Sequence, residues 1–249
     1  VYRSDGRPTY FAADIGYLAE KFARGFEELI YIWGENHFGA VARLKNVGAA
    51  LGYDPDRLRI LLYSWVRFVN EGVPISMSRR SGNFITLDDL VAEVGVDAIR
   101  WFFSSRTFTS GIDFDLEMAM RQSMDNPVYY VQYAHARCVS ILRAADSIGL
   151  RADSSAATEL LRHPAEQAVI RHMLELPDVI ADAAARRETH DIPRYVYELA
   201  SHFNQFYRDC RVLSDDTATS AARLALVDAT RQVLANTLGL LRISAPDSM

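Results

Sequence analysis

Leu29-Ile-Tyr-Ile-Trp33 is an unbroken apolar run, β-branched and aromatic, that stops at Gly34. It is too short for a helix and predicts a buried parallel strand. The mixed pattern before it predicts a helix over Ala12 to Arg24. A second is expected from about His37 to Leu51, closed by Gly52. Asp54-Pro55 carries the cap and first-turn chemistry of a third. Helix, strand, helix in this order reads as half of a doubly wound sheet, with polar groups gathered beyond the carboxyl end of the strand.

Glu71 to Asn83 reads as a polar loop, after which Thr86 caps a helix with Asp89 three residues on. From there the pattern is almost wholly helical. Asn126-Pro127 opens a long helix with Val128, Val131, Cys138, Ile141, Leu142 and Ala145 in its apolar set. Pro164 opens the next, and Pro177 ends or kinks it. Asp191 and Pro193 open another, with Val196, Leu199, Phe203, Phe206 and Cys210 on one stripe. The last is expected from about Thr219 to Leu241. A boundary is placed near residues 118–124, where strand signals stop and long helices take over.

Composition narrows the class. The 249 residues are 49% hydrophobic and 24% charged, an ordinary globular balance that excludes a disordered chain. The net charge is −5, so any contact with nucleic acid must come from local placement and not from a bulk positive field. Of the 27 basic residues only Lys21 and Lys45 are lysines. The simplest account is a coding bias; the sharper one is bidentate contact with phosphate. Cys138 and Cys210 are too few for a disulfide framework and form no CxxC pair, so a reducing, cytoplasmic setting is expected. No apolar run is long enough to span a bilayer, and no metal site is expected.

Three groups of residues carry candidate chemistry. Ser76-Met-Ser-Arg-Arg-Ser-Gly-Asn83 gathers hydroxyls, a glycine and two guanidiniums, suited to wrapping an anion, although a solvated basic turn fits the same residues. Glu35-Asn-His37 follows the strand end, where His37 can donate to a ribose or phosphate. Tyr10 and Asp14, four apart at a helix start, can hold a cationic ligand; the plainer account is a charge favoured by the helix dipole. Tyr129, Tyr130, Tyr133 and His135 crowd one helix, and Phe203, Phe206, Tyr207 and Arg211 another. Phe203 and Phe206 fall on the core stripe. Tyr207 falls off it and is the better candidate for stacking an unpaired base.

Taken in order, these segments resemble the C-terminal portion of the arginyl-tRNA synthetases, a class I family. The likeness rests on Arg3-Ser-Asp-Gly-Arg-Pro-Thr-Tyr10 with Asp14, Trp33-Gly-Glu-Asn-His-Phe-Gly39 and Met77-Ser-Arg-Arg-Ser-Gly-Asn83. It continues through Val94-Gly-Val-Asp-Ala-Ile-Arg100 and Asn126-Pro-Val-Tyr-Tyr-Val-Gln-Tyr-Ala-His-Ala-Arg137 to Ala245-Pro-Asp-Ser-Met249. The resemblance implies an α/β plus all-α chain. Residues 1–85 would be the C-terminal half of a Rossmann-type catalytic domain, 86–120 a helical stem-contact connector, and 121–249 a helical anticodon-binding bundle.

It also implies roles. Tyr10 and Asp14 would bind L-arginine, and Gly34, Glu35, His37 and Met77 would bind ATP, which brings Mg2+. Ser78, Arg79 and Arg80 would be the catalytic loop residues at the pyrophosphate. Tyr207, Arg211 and Met249 would meet the anticodon of tRNA(Arg). Family members often carry Asp where this chain has Asn36, and class I loops often carry Lys near Ser76 and Arg79. The H-x-G-H-type box is absent and the chain starts at Val1, so a missing N-terminal half of the same enzyme is an expected partner and the chain alone is expected to be inactive. The alternative is a non-catalytic tRNA-binding module derived from such an enzyme.

Overall fold

The computed structural model describes residues 1–70, 72–75, 85–153 and 155–249. It divides into two compact units, one of residues 1–66 and 108–112, the other of 67–107 and 113–249.

In the smaller unit Thr9 caps α1 (Tyr10–Ala23) by accepting from the amide of Ala12. Strand β1 (Leu29–Gly34) runs parallel to β2 (Leu58–Tyr63), from Leu29 opposite Leu58 to Gly34 opposite Tyr63. Helix α2 (Phe38–Ala50) returns the chain between them, entered through a single 3-10 turn at Glu35–His37. Leu18 and Phe22 of α1, Leu44 of α2, Leu29 and Tyr31 of β1 and Leu58 of β2 form one core. Gly48 of α2 faces Leu18 of α1, where a Cβ would make an ordinary van der Waals contact at 3.7 Å.

Two expectations for this unit need correction. The run Leu29 to Trp33 is not buried on both faces: Leu29 and Tyr31 are buried, whereas Ile30 and Ile32 are 48% and 68% exposed. The core cluster takes side chains from both α1 and α2, so both helices cover the same face of the strand pair. Asp54 and Pro55 do cap and start a turn, with Asp54 accepting from the amide of Asp56, but it lasts only from Pro55 to Arg57. Arg57 donates to the carbonyls of Phe26 and Glu27, each at 2.6 Å, which ties that turn to the start of β1 and feeds Leu58 into the sheet. Pairing with β1 outweighs local helix propensity.

In the larger unit β3 (Val66–Asn70) pairs antiparallel with β4 (Val73–Pro74) and also neighbours β5 (Ile112–Asp115), with Val66 and Ile112 falling just across the boundary. Strand β5 interrupts the helical stretch expected after Thr86. Its anchor is Phe114, fully buried, with the rings of Phe68, Phe102 and Phe103 edge-on at 5.5–5.7 Å. Thr86 and Asp89 form a complete capping box at α3 (Leu87–Val94). Gly95, at φ +86°, turns the chain into α4 (Val96–Ser104), and α5 (Leu116–Met120) follows β5.

Asn126 caps α6 (Pro127–Ser147) through its side-chain oxygen and donates to the carbonyls of Ala119 and Arg121. A buried amide thus has all its groups satisfied, which fixes where α6 starts. Helices α7 (Pro164–Leu174), α8 (Leu176–Arg186), α9 (Asp191–Asp209) and α10 (Thr217–Leu240) complete the bundle. The stripes expected on α6 and α9 form its interior, with Val131, Cys138, Val196, Leu199, Phe203 and Phe206 all essentially without exposed surface. Among the described residues no helix is long and apolar enough to cross a membrane.

Candidate functional site

Candidate residues fall into two groups, one in each unit. In the smaller unit both parallel strands end level, at Gly34 and Tyr63, and the polar groups lie just beyond. A Cβ on Gly34 would come to 2.6 Å from the Asn36 side-chain oxygen, so the Asn36 amide packs directly over this position. Glu35 accepts from the Ser64 hydroxyl at 2.9 Å, joining the turns that follow the two strands. The exposed His37 ring lies 5.9 Å from that of Trp33.

Tyr10 and Asp14 are both exposed on the first turns of α1, one helical turn apart. Asp14 is felt by Tyr31, whose hydroxyl is buried with no hydrogen-bond partner among the described residues. The Tyr31 phenol is pushed up by burial first, then by the charges of Tyr17 and Asp14, with Arg24 opposing. Lys21 sits over the rings of both Tyr17 and Tyr31, at 4.1 and 3.8 Å. No hydrogen bond or ion pair joins Tyr10 or Asp14 to Glu35 or His37 among the described residues. Met77, Ser78, Arg79 and Arg80 lie outside the described residues.

In the larger unit the expected residues do converge. Tyr207 is 44% exposed, whereas Phe203 and Phe206 on the same helix are fully buried. A cavity of about 350 Å³ beside Tyr207 is bordered by Tyr133, Arg137, Arg143, Asp247 and Met249. A second, of about 610 Å³, lies beside the same ring and is bordered by Arg137, Arg208, Arg211 and Ile141. Tyr207 is therefore shared by Met249 on one side and Arg211 on the other.

Sequence reasoning missed the residue at the centre. The Arg137 guanidinium lies 4.6 Å from the Tyr133 ring centre and 4.9 Å from that of Tyr207, and it donates to the Asn204 side chain at 2.8 Å. The available signal was the spacing of four between Tyr133 and Arg137, which places the two on one face of α6. This is a partly exposed cluster of two phenol rings and one guanidinium, the composition that stacks on unpaired bases.

Residues 131–249 match the DALR anticodon binding domain, so the shared aromatic-arginine surface belongs to that domain. Relatives extend through both units. The arginine–tRNA ligase of Moorella thermoacetica is 51% identical over the whole of this chain, and that of Heliobacterium modesticaldum 49%. The chain matches the C-terminal part of the arginine–tRNA ligases. It spans 45% of the length of these two ligases. A solved arginyl-tRNA synthetase structure from Campylobacter jejuni superposes with a TM-score of 0.91 at 33% identity, over all of this chain and 54% of that one. The arginyl-tRNA synthetase of Thermus thermophilus shares the fold, with a TM-score of 0.80 at 24% identity over all of this chain and 50% of its own.

Proposed function

We propose that the chain serves an arginine–tRNA ligase that activates L-arginine with ATP to arginyl-adenylate and passes the arginine to tRNA(Arg). The observation that carries this reading is a likeness to such ligases that covers the whole chain, both units included. The work divides as residues 1–85 for half of the catalytic domain, 86–120 for the stem-contact connector and 121–249 for the anticodon. In this reading the catalytic site is completed by an N-terminal half supplied from outside these 249 residues, and the 249 residues alone are inactive.

In this reading Asp14 faces the arginine guanidinium, and Tyr10 flanks it one turn earlier; a carboxylate opposite a guanidinium gains charge-assisted hydrogen bonds. Gly34, Glu35 and His37 serve the adenosine of ATP beyond the strand ends, the usual ligand position in a parallel sheet. The arginine carboxylate attacks the α-phosphate and pyrophosphate leaves. Met77, Ser78, Arg79 and Arg80 meet that leaving group, where fixed positive charge and donors stabilise the growing negative charge. Mg2+ would accompany the triphosphate, whose oxygens suit a hard cation, and would offset its negative charge. Tyr207, Arg211 and Met249 take the anticodon bases, with Arg137 beside them, in the cytoplasm.

The test is pyrophosphate exchange with arginine, ATP and tRNA(Arg), the N-terminal half being supplied in trans. Activity that depends on both parts, with a raised KM for arginine in Asp14→Asn, is expected. A second reading, a non-catalytic tRNA-binding module, is favoured by the confinement of the aromatic-arginine surface to the larger unit. It is the outcome if tRNA binds with anticodon preference while exchange stays at background.

A further inference from the structure

The segment after α10 does not hang free; it is fastened at four successive points. The Arg242 carbonyl accepts from Arg100 of α4. The Ser244 amide donates to Asp97 Oδ1 at 3.2 Å, and its hydroxyl donates to Asp97 Oδ2. The carbonyl of Pro246 meets the His135 ring nitrogen at 2.9 Å, and Asp247 pairs with Arg143 at 3.5 Å. The last two anchors stand on α6, on the way to the cavity beside Tyr207.

Asp97 is the densest of these anchors. Besides Ser244 it accepts from Gln132 Nε2 at 3.0 Å, and the same Gln132 nitrogen lies 3.0 Å from both the carbonyl and the hydroxyl of Ser244. One carboxylate thus joins α4, α6 and the segment 242–249. Met249, at the far end of that segment, borders two cavities. One is the space of about 350 Å³ beside Arg137 and Tyr207. The other, of about 460 Å³, is lined by Asp97, Tyr129 and Gln132. Met249 lies five residues after Ser244, with the Pro246 and Asp247 anchors on α6 between them, so the Asp97 link sets where the segment enters the path that those anchors complete.

We propose that Asp97 is a positioning residue for base discrimination: by clamping Ser244 it holds residues 244–249 along α6 and so places Met249 at the edge of the Tyr207 cavity. It touches no nucleotide itself. This inference rests on the reading that the Tyr207 cavity takes anticodon bases. A layer built from α4, remote in sequence from the bundle, then governs how sharply the cavity reads its base.

The experiment uses the whole chain and two tRNA(Arg) transcripts, one native and one with exchanged anticodon bases, at fixed salt. The quantity read is the ratio of their Kd values. Asp97→Asn puts an amide in place of an acceptor facing three donors, and Ser244→Ala removes the partner hydroxyl. Each is expected to lower the ratio about tenfold, as loss of charge-assisted hydrogen bonds does. The double variant is expected to be no worse than either, because both break one link.

Amide exchange separates positioning from general loosening. Ser244 exchange is expected to quicken in Asp97→Asn, while the neighbouring Ile243 amide, bonded to the Leu238 carbonyl at 3.0 Å, stays protected. An unchanged ratio in both single variants, while Tyr207→Ala collapses it, overturns the role of Asp97. Exchange that rises equally at Ile243 and Ser244 in both also overturns it. A ratio untouched by Tyr207→Ala instead sinks the anticodon reading of the cavity, and the proposal with it.

Discussion

The guanidinium carbon of Arg137 lies 4.9 Å from the centre of the Tyr207 ring. Tyr207 supplies a π face that is nearly half exposed, and Arg137 supplies charge that a compact ammonium could not spread over it. Tyr207→Ala is expected to weaken tRNA(Arg) binding by about 1–3 kcal/mol, the range for loss of one stacked base. Tyr207→Phe keeps the face and is expected to bind close to the parent. Arg137→Lys keeps the charge but loses the plane, and is expected to fall between the two. Titration of labelled tRNA at one fixed salt concentration measures all three; equal affinities throughout would remove the stacking surface from the account.

Within the bundle a different pair carries stability. Arg223 Nε donates at 2.6 Å to Glu166, which has no exposed surface and also accepts from the His163 amide at 2.8 Å. Breaking a buried pair from one side leaves the other charge stranded. Arg223→Ala is therefore expected to cost about 3–5 kcal/mol. Glu166→Gln is expected to cost less, since the amide keeps an acceptor and Arg223 retains some exposure. Urea unfolding midpoints give the order, and the reverse order would show that Arg223 needs Glu166 more than Glu166 needs Arg223.

The helical half was more legible in the sequence than the strand half, and the reason is local. Asn126-Pro127 and Pro164 mark helix starts, Asn126 by capping with its own side chain and the prolines by fitting the first helical position, and the stripes on α6 and α9 repeat at the helical period. Strand β2 has no such mark. Leu58 to Tyr63 becomes a strand because β1, about thirty residues earlier, offers it partners from Leu29 to Gly34. Among candidate site residues, Tyr207 was legible because it falls off the core stripe. Arg137 was not, because its meaning depends on a ring from α9, and neither is the Asp97–Ser244 link, which joins residues 147 apart.

The orphan hydroxyl of Tyr31 offers a test in the smaller unit. It is buried without a partner among the described residues, and an unmade hydrogen bond there costs free energy. Tyr31→Phe is expected to raise stability by about 1 kcal/mol in the unliganded chain. A loss of stability instead, read from the thermal midpoint, would mean that the hydroxyl has a partner such as an ordered water.

Asp216 sets part of the acid sensitivity. Its carboxylate accepts from the hydroxyl and amide of Thr219 and from the amide of Ala218, which holds its pKa below the ordinary 3.8. A depressed folded pKa means that the stabilisation is complete above 3.8 and fades as pH falls through the folded value. Asp216→Asn keeps a capping oxygen but cannot titrate. Its thermal midpoint is expected to be lower than the parent's at neutral pH and to converge on it at acid pH below that value; parallel curves at every pH would count against the cap as the titrating group.

Arg242 closes α10 in the left-handed region, at φ +57°. The Arg242 amide donates to Gly239 and the Ile243 amide to Leu238, both at 3.0 Å, so the turn satisfies carbonyls that the helix end leaves open. An L side chain pays for this conformation where glycine does not. Arg242→Gly keeps the carbonyl that Arg100 uses and relieves the backbone, so stability is expected to rise by about 1 kcal/mol. The flexibility of an unfolded glycine subtracts from that gain, which is why Arg242→Ala, with the strain kept and the side chain gone, is the needed control. It is expected to lie at or below the parent in urea. If Arg242→Gly and Arg242→Ala instead shift the midpoint equally, the side chain and not the backbone sets the energy of this turn.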